Sequence, residues 1–289
     1  MPCISEQPVN GNNFLRWHHA TDLYLPFVGA LAYCTNVRPG FTYDPVAESE
    51  VYGLPVVNGD TIKFAINNPV GMFPDGIADL RLGLIQNGGL VAPNTGTLQA
   101  MPVVGGYLIY GDLFINNLAD QLYWPCVYQE SDKKVLLVAN PVHGVSRRAW
   151  MRDTVVVQYK HHSNVFEYPY GDLPGFYNQF RLDAILHNYQ PVMELTTYRD
   201  MNKQPHVSTD LLARHFTLET DFVDLETHYA MVAMLVCETL TISNNRTEKA
   251  YKPTNGYEHT PPEIDFNLTT GRVKLEDIEY TRALSMCKQ

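Results

Sequence analysis

From residue 51 to about 145, apolar and polar positions alternate in short runs, the period of strands with one buried face. Residues 61–66 (TIKFAI) alternate in this way, and 79–85 (DLRLGLI) run into Asn87-Gly88-Gly89 and then an apolar stretch over 90–92. An Asn-Gly between two apolar runs predicts a hairpin, because both central turn positions take positive φ. Further strands are predicted over 106–115, 121–129 and 134–139, the last two separated by the turn Glu130-Ser131-Asp132-Lys133. Short strands at this spacing point to a sandwich or barrel.

The pattern lapses between 141 and 152 and then resumes. It divides the chain into an N-terminal arm or irregular start (1–50), a β-sandwich-like domain (51–145) and a β-rich domain (146–289). In the last of these, strands are predicted over 154–160, 165–168, 181–186 and 192–198, followed by a polar turn at 199–204 and a long strand over 206–218. A helix is predicted over 221–238, capped by Thr220 or Asp221, with Asp224 and Glu226 near its positive end. Its apolar stripe, Phe222, Leu225, Tyr229, Val232 and Val236, recurs at three- and four-residue steps and is expected to face the core. A strand over 239–242 and a closing hairpin (264–268 and 273–280) complete the chain. The expected fold class is mainly β: two β-sandwich-like domains with one packed α-helix in the C-terminal half.

Charged residues make up 18% of the chain, below the roughly 25% usual in soluble domains, while 18 Tyr help carry aromatics to 11%. Few charges and many tyrosines suit a surface partly covered by partners, although β proteins are in general rich in Tyr. The net charge of −10 disfavours a sequence-independent grip on nucleic acid, and Arg147, Arg148 and Arg152 are too few to form a footprint. Five widely spaced cysteines (3, 34, 126, 237 and 287) without a CxxC read as free thiols. The opening MPCISEQPVNGNN lacks the layout of an export signal, and no apolar run approaches the roughly 20 residues of a membrane helix. The expectation is a chain kept in a cytoplasm, or in a particle assembled there, without membrane contact.

Phosphate-loop, dinucleotide, nucleophile-elbow and HExxH motifs are absent from the sequence, so it suggests no cofactor, metal or catalytic residue. His161-His162 falls in a predicted turn, read as solvent-exposed, with a shared metal ion as the alternative. Asp183 and His187 would face each other on a helix, but the pattern there is that of a strand, which keeps them apart. Glu226 and His228 read as a solvated helix face, with His228 as a satisfied boundary histidine beside a buried Tyr229. The acidic set Glu219, Asp221, Asp224 and Glu226 is explained by helix-end electrostatics rather than by calcium.

Across residues 155–240 the order of elements is distinctive. A β opening (VVVQYKHHSNVFEYPY) leads to a Tyr/Phe-rich link (GFYNQFRLDAIL) and a strand ending in ELTTYRD. An interrupted strand (LLARHFTLETD), a helix (FVDLETHYAMVAML) and a return strand (TLTIS) follow. This cadence, with DTIKFAINNP and DLRLGLIQNGG in the first half, resembles virion proteins of tailed phages that infect Bacteroidota, crAss-like phages included. The resemblance implies a non-enzymatic subunit repeated in a ring at the portal–tail neck, or in the tail. Its partners would be copies of itself and neighbouring portal, neck or tail proteins, with viral DNA passing through the assembly but not specifically bound. Joining parts are expected in residues 7–26, 197–209 and 245–262. Two other readings stand beside it. One is a receptor- or carbohydrate-binding tail module. The other is a cytoplasmic enzyme, whose sign would be a pocket gathering His161, His162 or Asp183 with a carboxylate or metal.

Overall fold

The computed structural model describes residues 17–19, 41–44, 49–69, 78–86, 89–91, 96–103, 106–116, 118–119, 121–144, 153–163, 173, 175–244, 248–261, 268–279 and 282–283. In the first half the strands are β1 (Trp17–His19), β2 (Phe41–Asp44), β3 (Ser49–Tyr52), β4 (Leu54–Val56), β5 (Thr61–Pro69), β6 (Leu80–Gln86), β7 (Gly89–Val91), β8 (Gly96–Val103), β9 (Gly106–Phe114), β10 (Leu122–Gln129), β11 (Val135–Ala139) and β12 (Val142–Gly144). The second half holds β13 (Thr154–Lys160), β14 (Asn178–Arg199), β15 (Pro205–Thr220), β16 (Val223–Asp224) and helix α1 (Leu225–Leu235). It continues through β17 (Thr239–Ser243), β18 (Glu248–Pro253), β19 (Glu258–His259), β20 (Leu268–Thr269), β21 (Gly271–Asp277) and β22 (Arg282–Ala283). The mainly β, sandwich-like class with a single described helix holds.

In the first half, β6 and β11 flank β10 in one sheet, while β5, β9 and β8 line up in another. Alternation along β5 sends Ile62, Phe64 and Ile66 into a core shared with Leu82 and Leu84 of β6 and Val127 of β10. Pro125 interrupts β10 at a tolerable place. One edge of β10 pairs with β12 through Leu122 and Tyr123 and with β11 from Cys126 onward, and the proline lies at the break between them. The register pairs Gln86 with Gly89, which fits the hairpin expected around Asn87-Gly88. Strand β8 is absent from the sequence-based prediction. It sits at the end of its sheet, where Pro102 can be accommodated without a ladder partner on its far side.

The second half closes on itself. β14 pairs with β13, β13 with β17, β17 with β18, β18 with β21, β21 with β15, and β15 again with β14, all antiparallel. This ring of six strands turns one residue in two inward: Val155, Val157 and Tyr159; Phe180, Leu182 and Ala184; Leu240 and Ile242; Val273 and Leu275. These residues meet as cross-strand partners, Val157 opposite both Phe180 and Ile242, and Leu218 opposite Val273. Tyr159 meets Phe180 edge to face at 5.7 Å between ring centroids.

The halves are joined where β5 touches β14 at the Lys63–Gln179 pair, so one sheet takes strands from both. Next to this junction, Arg181 points away from the barrel interior and is almost fully buried. Its Nε and Nη2 donate to the two Asp60 carboxylate oxygens, each at 2.8 Å, and Nη1 donates to Thr154 Oγ1 at 3.0 Å. The same carboxylate accepts from Val57 N at 2.9 Å, which fixes the turn between β4 and β5.

Several expectations are corrected. The separate strands predicted over 181–186 and 192–198 are one 22-residue strand, β14; the polar run between them is carried by a bulge between His187 and Gln190. The helix begins at Leu225, not 221, because Asp224 is its cap and accepts from Thr227 N at 2.8 Å. Thr220 and Asp221 precede it, and Asp221 accepts from Phe222 N instead. The stripe expected to be buried is largely outside: Tyr229, Val232 and Val236 are 65%, 43% and 55% exposed, while His228, Met231, Met234 and Leu235 pack inward. Of the first arm of the expected closing hairpin, residues 264–267 lie outside the described residues, and Leu268 and Thr269 pair with β16. The strand expected over 165–168 lies outside the described residues, as do Cys3, Cys34 and Cys287. Cys126 and Cys237 are buried and not joined in a disulfide, and burial pushes the Cys126 thiol up to about 12.

Removing one partner of a buried ion pair strands the other charge away from water. Asp60→Asn is therefore expected to lower stability by about 3 kcal/mol in urea unfolding. An unchanged midpoint would show that the Asp60–Arg181 pair does not hold the two halves together.

Candidate functional site

The largest departure from a closed fold is the β14–β15 hairpin. At about 3.3 Å per residue, the 22 residues of β14 span roughly 70 Å, and only its first part belongs to the barrel wall. The β13 side of β14 is paired as far as Asp183, and β21 covers β15 only from His215 onward. β22 adds a short pairing at Leu211 and Leu212. Among the described residues, the pairs from Leu195–Asp210 to Arg199–Pro205 have no third strand on either side.

The tip is ordered by its own hydrogen bonds. Asp200 Oδ1 accepts from Asn202 N at 2.8 Å and Gln204 N at 2.9 Å, while Lys203 N donates to Asp200 O at 2.9 Å. Lys203 takes φ 65°, the left-handed region, to close this turn. Met201 at the tip is fully exposed. Nearer the barrel, Tyr189 meets Phe216 at a tilt, 5.7 Å between centroids, and lies under the Arg214 guanidinium at 5.6 Å. Of the other expected joining parts, residues 17–19 of the 7–26 segment pair with β11. Residues 248–253 and 258–259 of the 245–262 segment pair with strands of this same chain, and Tyr251 is buried.

A second exposed feature is the outer face of α1. Tyr229, Val232 and Val236 lie three and four residues apart and form an apolar strip facing solvent.

The histidine pair is brought to a carboxylate that sequence reasoning did not connect to it. The β13–β17 ladder ends at the Lys160–Thr239 pair, so His161 and Glu238 stand at the next position across. His162 Nδ1 lies 2.5 Å from Glu238 Oε1, and His161 Nε2 lies 3.9 Å from the same oxygen. The two imidazoles stack at 4.5 Å between centroids. Ser163 donates through N at 3.2 Å to His161 Nδ1, and its Oγ lies 3.1 Å from that atom. Asp183 is not part of this group. It pairs with Thr154 at the opposite end of β13, about 20 Å away by strand rise. His187 instead meets Glu219 at 2.8 Å. The side chain of Glu226 lies outside the described residues.

His228 is buried in the body rather than on a solvated helix face. Its Nε2 lies 3.1 Å from Thr269 O and 2.8 Å from Thr269 Oγ1, and Nδ1 lies 2.6 Å from the Tyr257 hydroxyl. A neutral ring donating from Nε2 and accepting from the Tyr257 O–H at Nδ1 satisfies every contact. Gly271 beneath them must be glycine, since a Cβ there would stand 2.1 Å from the Tyr257 oxygen. Burial holds the His228 imidazolium below its ordinary range. The stacked His259, 5.0 Å away, acts in the same direction, while Thr269 and Asp224 oppose it. On the outer side of β5 and β9, an open groove of about 410 Å³ is lined by Gln99, Tyr110 and Phe176, with Lys63 and Asp112 paired within it at 2.8 Å.

Comparison with protein-family models, curated proteins and solved structures finds no match.

The His228 contacts carry a pH dependence. Its pKa is depressed by folding, so its contribution is complete above the unfolded value of about 6.5 and declines as the unfolded chain takes up a proton below it. Stability measured from pH 7 to 5 is expected to fall, and His228→Gln, which cannot titrate, should flatten that slope. Equal slopes in both proteins would assign the acid sensitivity elsewhere.

Proposed function

We propose that this chain is a non-enzymatic structural subunit of a tailed-phage virion, assembled in the host cytoplasm as a ring-forming neck, connector or tail protein. It acts through contacts with copies of itself and with neighbouring portal, neck or tail proteins. The observation that carries this reading is the β14–β15 arm. A two-stranded hairpin alone in water is marginally stable, and its free edges are templates for pairing. An arm this long is best explained by a surface it meets outside its own fold.

A ring uses such an element directly. Each arm reaches the next copy, the contact is heterologous, and repetition by a constant rotation closes the circle. The exposed strip Tyr229, Val232 and Val236 supplies apolar area for a lateral or axial contact. Assignment to a phage particle rests on the resemblance over residues 155–240. A net charge of −10 suits a channel wall along which DNA slides without sticking.

Light scattering of the full chain over a wide concentration range tests this. A ring-sized mass is expected, or a monomer that becomes one as concentration rises. A second variant removes residues 196–209 and joins Leu195 to Asp210, partners in register, through an Asn-Gly turn. It should keep the melting temperature of the parent and remain monomeric. A full chain that stays monomeric throughout, or a shortened chain that assembles equally well, would overturn the proposal.

A further inference from the structure

We propose that His161, His162 and Glu238 form a binding site for a transition-metal dication of the zinc class. The ligand set is two imidazoles and one carboxylate, the donors such ions take, whereas calcium and magnesium prefer all-oxygen shells. All three donor atoms lie within 4.8 Å of one another.

The backbone accounts for the grouping. His161 and Glu238 continue the last rung of the β13–β17 ladder, and His162 follows in the turn, where adjacent side chains need not point to opposite faces. Tetrahedral coordination at about 2.0–2.2 Å places ligand atoms about 3.3 Å apart. The distances to Glu238 Oε1, 2.5 Å from His162 and 3.9 Å from His161, lie on either side of that value. No pair of donor atoms is more than 4.8 Å apart, so side-chain shifts of about 1.5 Å or less seat the ion. His162 and Glu238 are exposed and free to make them, while the less exposed His161 forms the fixed side of the site. Ligation through Nε2 requires the His161 ring proton to move to Nδ1, which then gives up the bond it accepts from Ser163 N and donates to Ser163 Oγ, 3.1 Å away, the outer contact that orients a ligating imidazole. The fourth position faces solvent and takes water or a donor from another molecule.

The test uses the full chain without an affinity tag. Zinc is titrated by calorimetry, and cobalt(II) serves as a spectroscopic substitute. One saturable equivalent is expected, with the visible bands of a nitrogen/oxygen tetrahedral cobalt site and no intense thiolate charge-transfer band. His162→Ala and Glu238→Gln should each weaken binding by about tenfold or more. His187→Ala, at another exposed His–Glu pair, should leave it unchanged. His162 and Glu238 lie at exposed turn positions, and circular dichroism checks that all three variants fold. Absence of a saturable equivalent would overturn the proposal. So would a cobalt spectrum dominated by thiolate, or an affinity that His187→Ala lowers as much as Glu238→Gln.

Discussion

The fork between Arg181 and Asp60 is the contact on which the rest of the architecture depends. Alternation along β14 sends Phe180 and Leu182 into the barrel, so Arg181 must emerge on its outer wall. There it is covered by the turn leading into β5 and keeps only 4% of its side chain exposed. A guanidinium cannot be discharged at ordinary pH, so burial demands a full set of acceptors. Asp60 and Thr154 accept from all three of its nitrogens, and Asp60 does so while closing its own turn. The ion pair therefore fixes which face of the barrel meets the sandwich. It also clamps β14 at its root, where a long lever needs a rigid support.

Beyond that root the two halves deal with backbone edges in opposite ways. The six-stranded ring removes edges by closure, the most complete protection a sheet has. The same ring contains the two strands that overshoot it, so the arm is continuous with the most tightly paired part of the molecule. A load on the tip is passed along β14 to Arg181 and along β15 to β21, not to a loop. Its hydrogen-bonded turn at 200–204 keeps the tip in one shape. Less ordering entropy would then be lost on binding the neighbour proposed above.

Much of this was legible in the sequence. Alternation located β5, β6, β9, β10, β11, β13 and β17 within a few residues, and the polar run Arg199–Gln204 marked the hairpin tip. The errors came from places where local pattern and tertiary packing diverge. The run HNYQP in β14 looks like a break because a bulge shifts the period, and its pairing partners come from β15, far along the chain. On α1, Tyr229, Val232 and Val236 form an apolar stripe as regular as the buried one at Met231, Met234 and Leu235, and hydropathy alone cannot choose between them. His228 settles the choice. Among the described residues its ring finds its partners in Thr269 and Tyr257, which turns that side of the helix inward. Glu238 was invisible as a partner of His161 because their meeting is a consequence of strand register, which no local window contains.

The sequence of the arm bears on how it would be used. Proteins that keep a sheet edge to themselves place lysines, prolines or bulges along it. Here one bulge and Pro191 sit near the barrel, and a second shift of register, between Thr196 and Thr197, lies in the outer part of the arm. Farther out, residues 192–199 contain no lysine or proline, and Glu194 and Arg199 are their only charges. On the returning strand, Pro205 occupies the first position, where a missing N–H costs least, and residues 206–213 contribute only Asp210 as a formal charge. Apart from that second shift, the outer length of both strands carries few charges or prolines to protect its edges. That distribution is poor for an isolated monomer and well suited to an arm that another chain covers along its outer length.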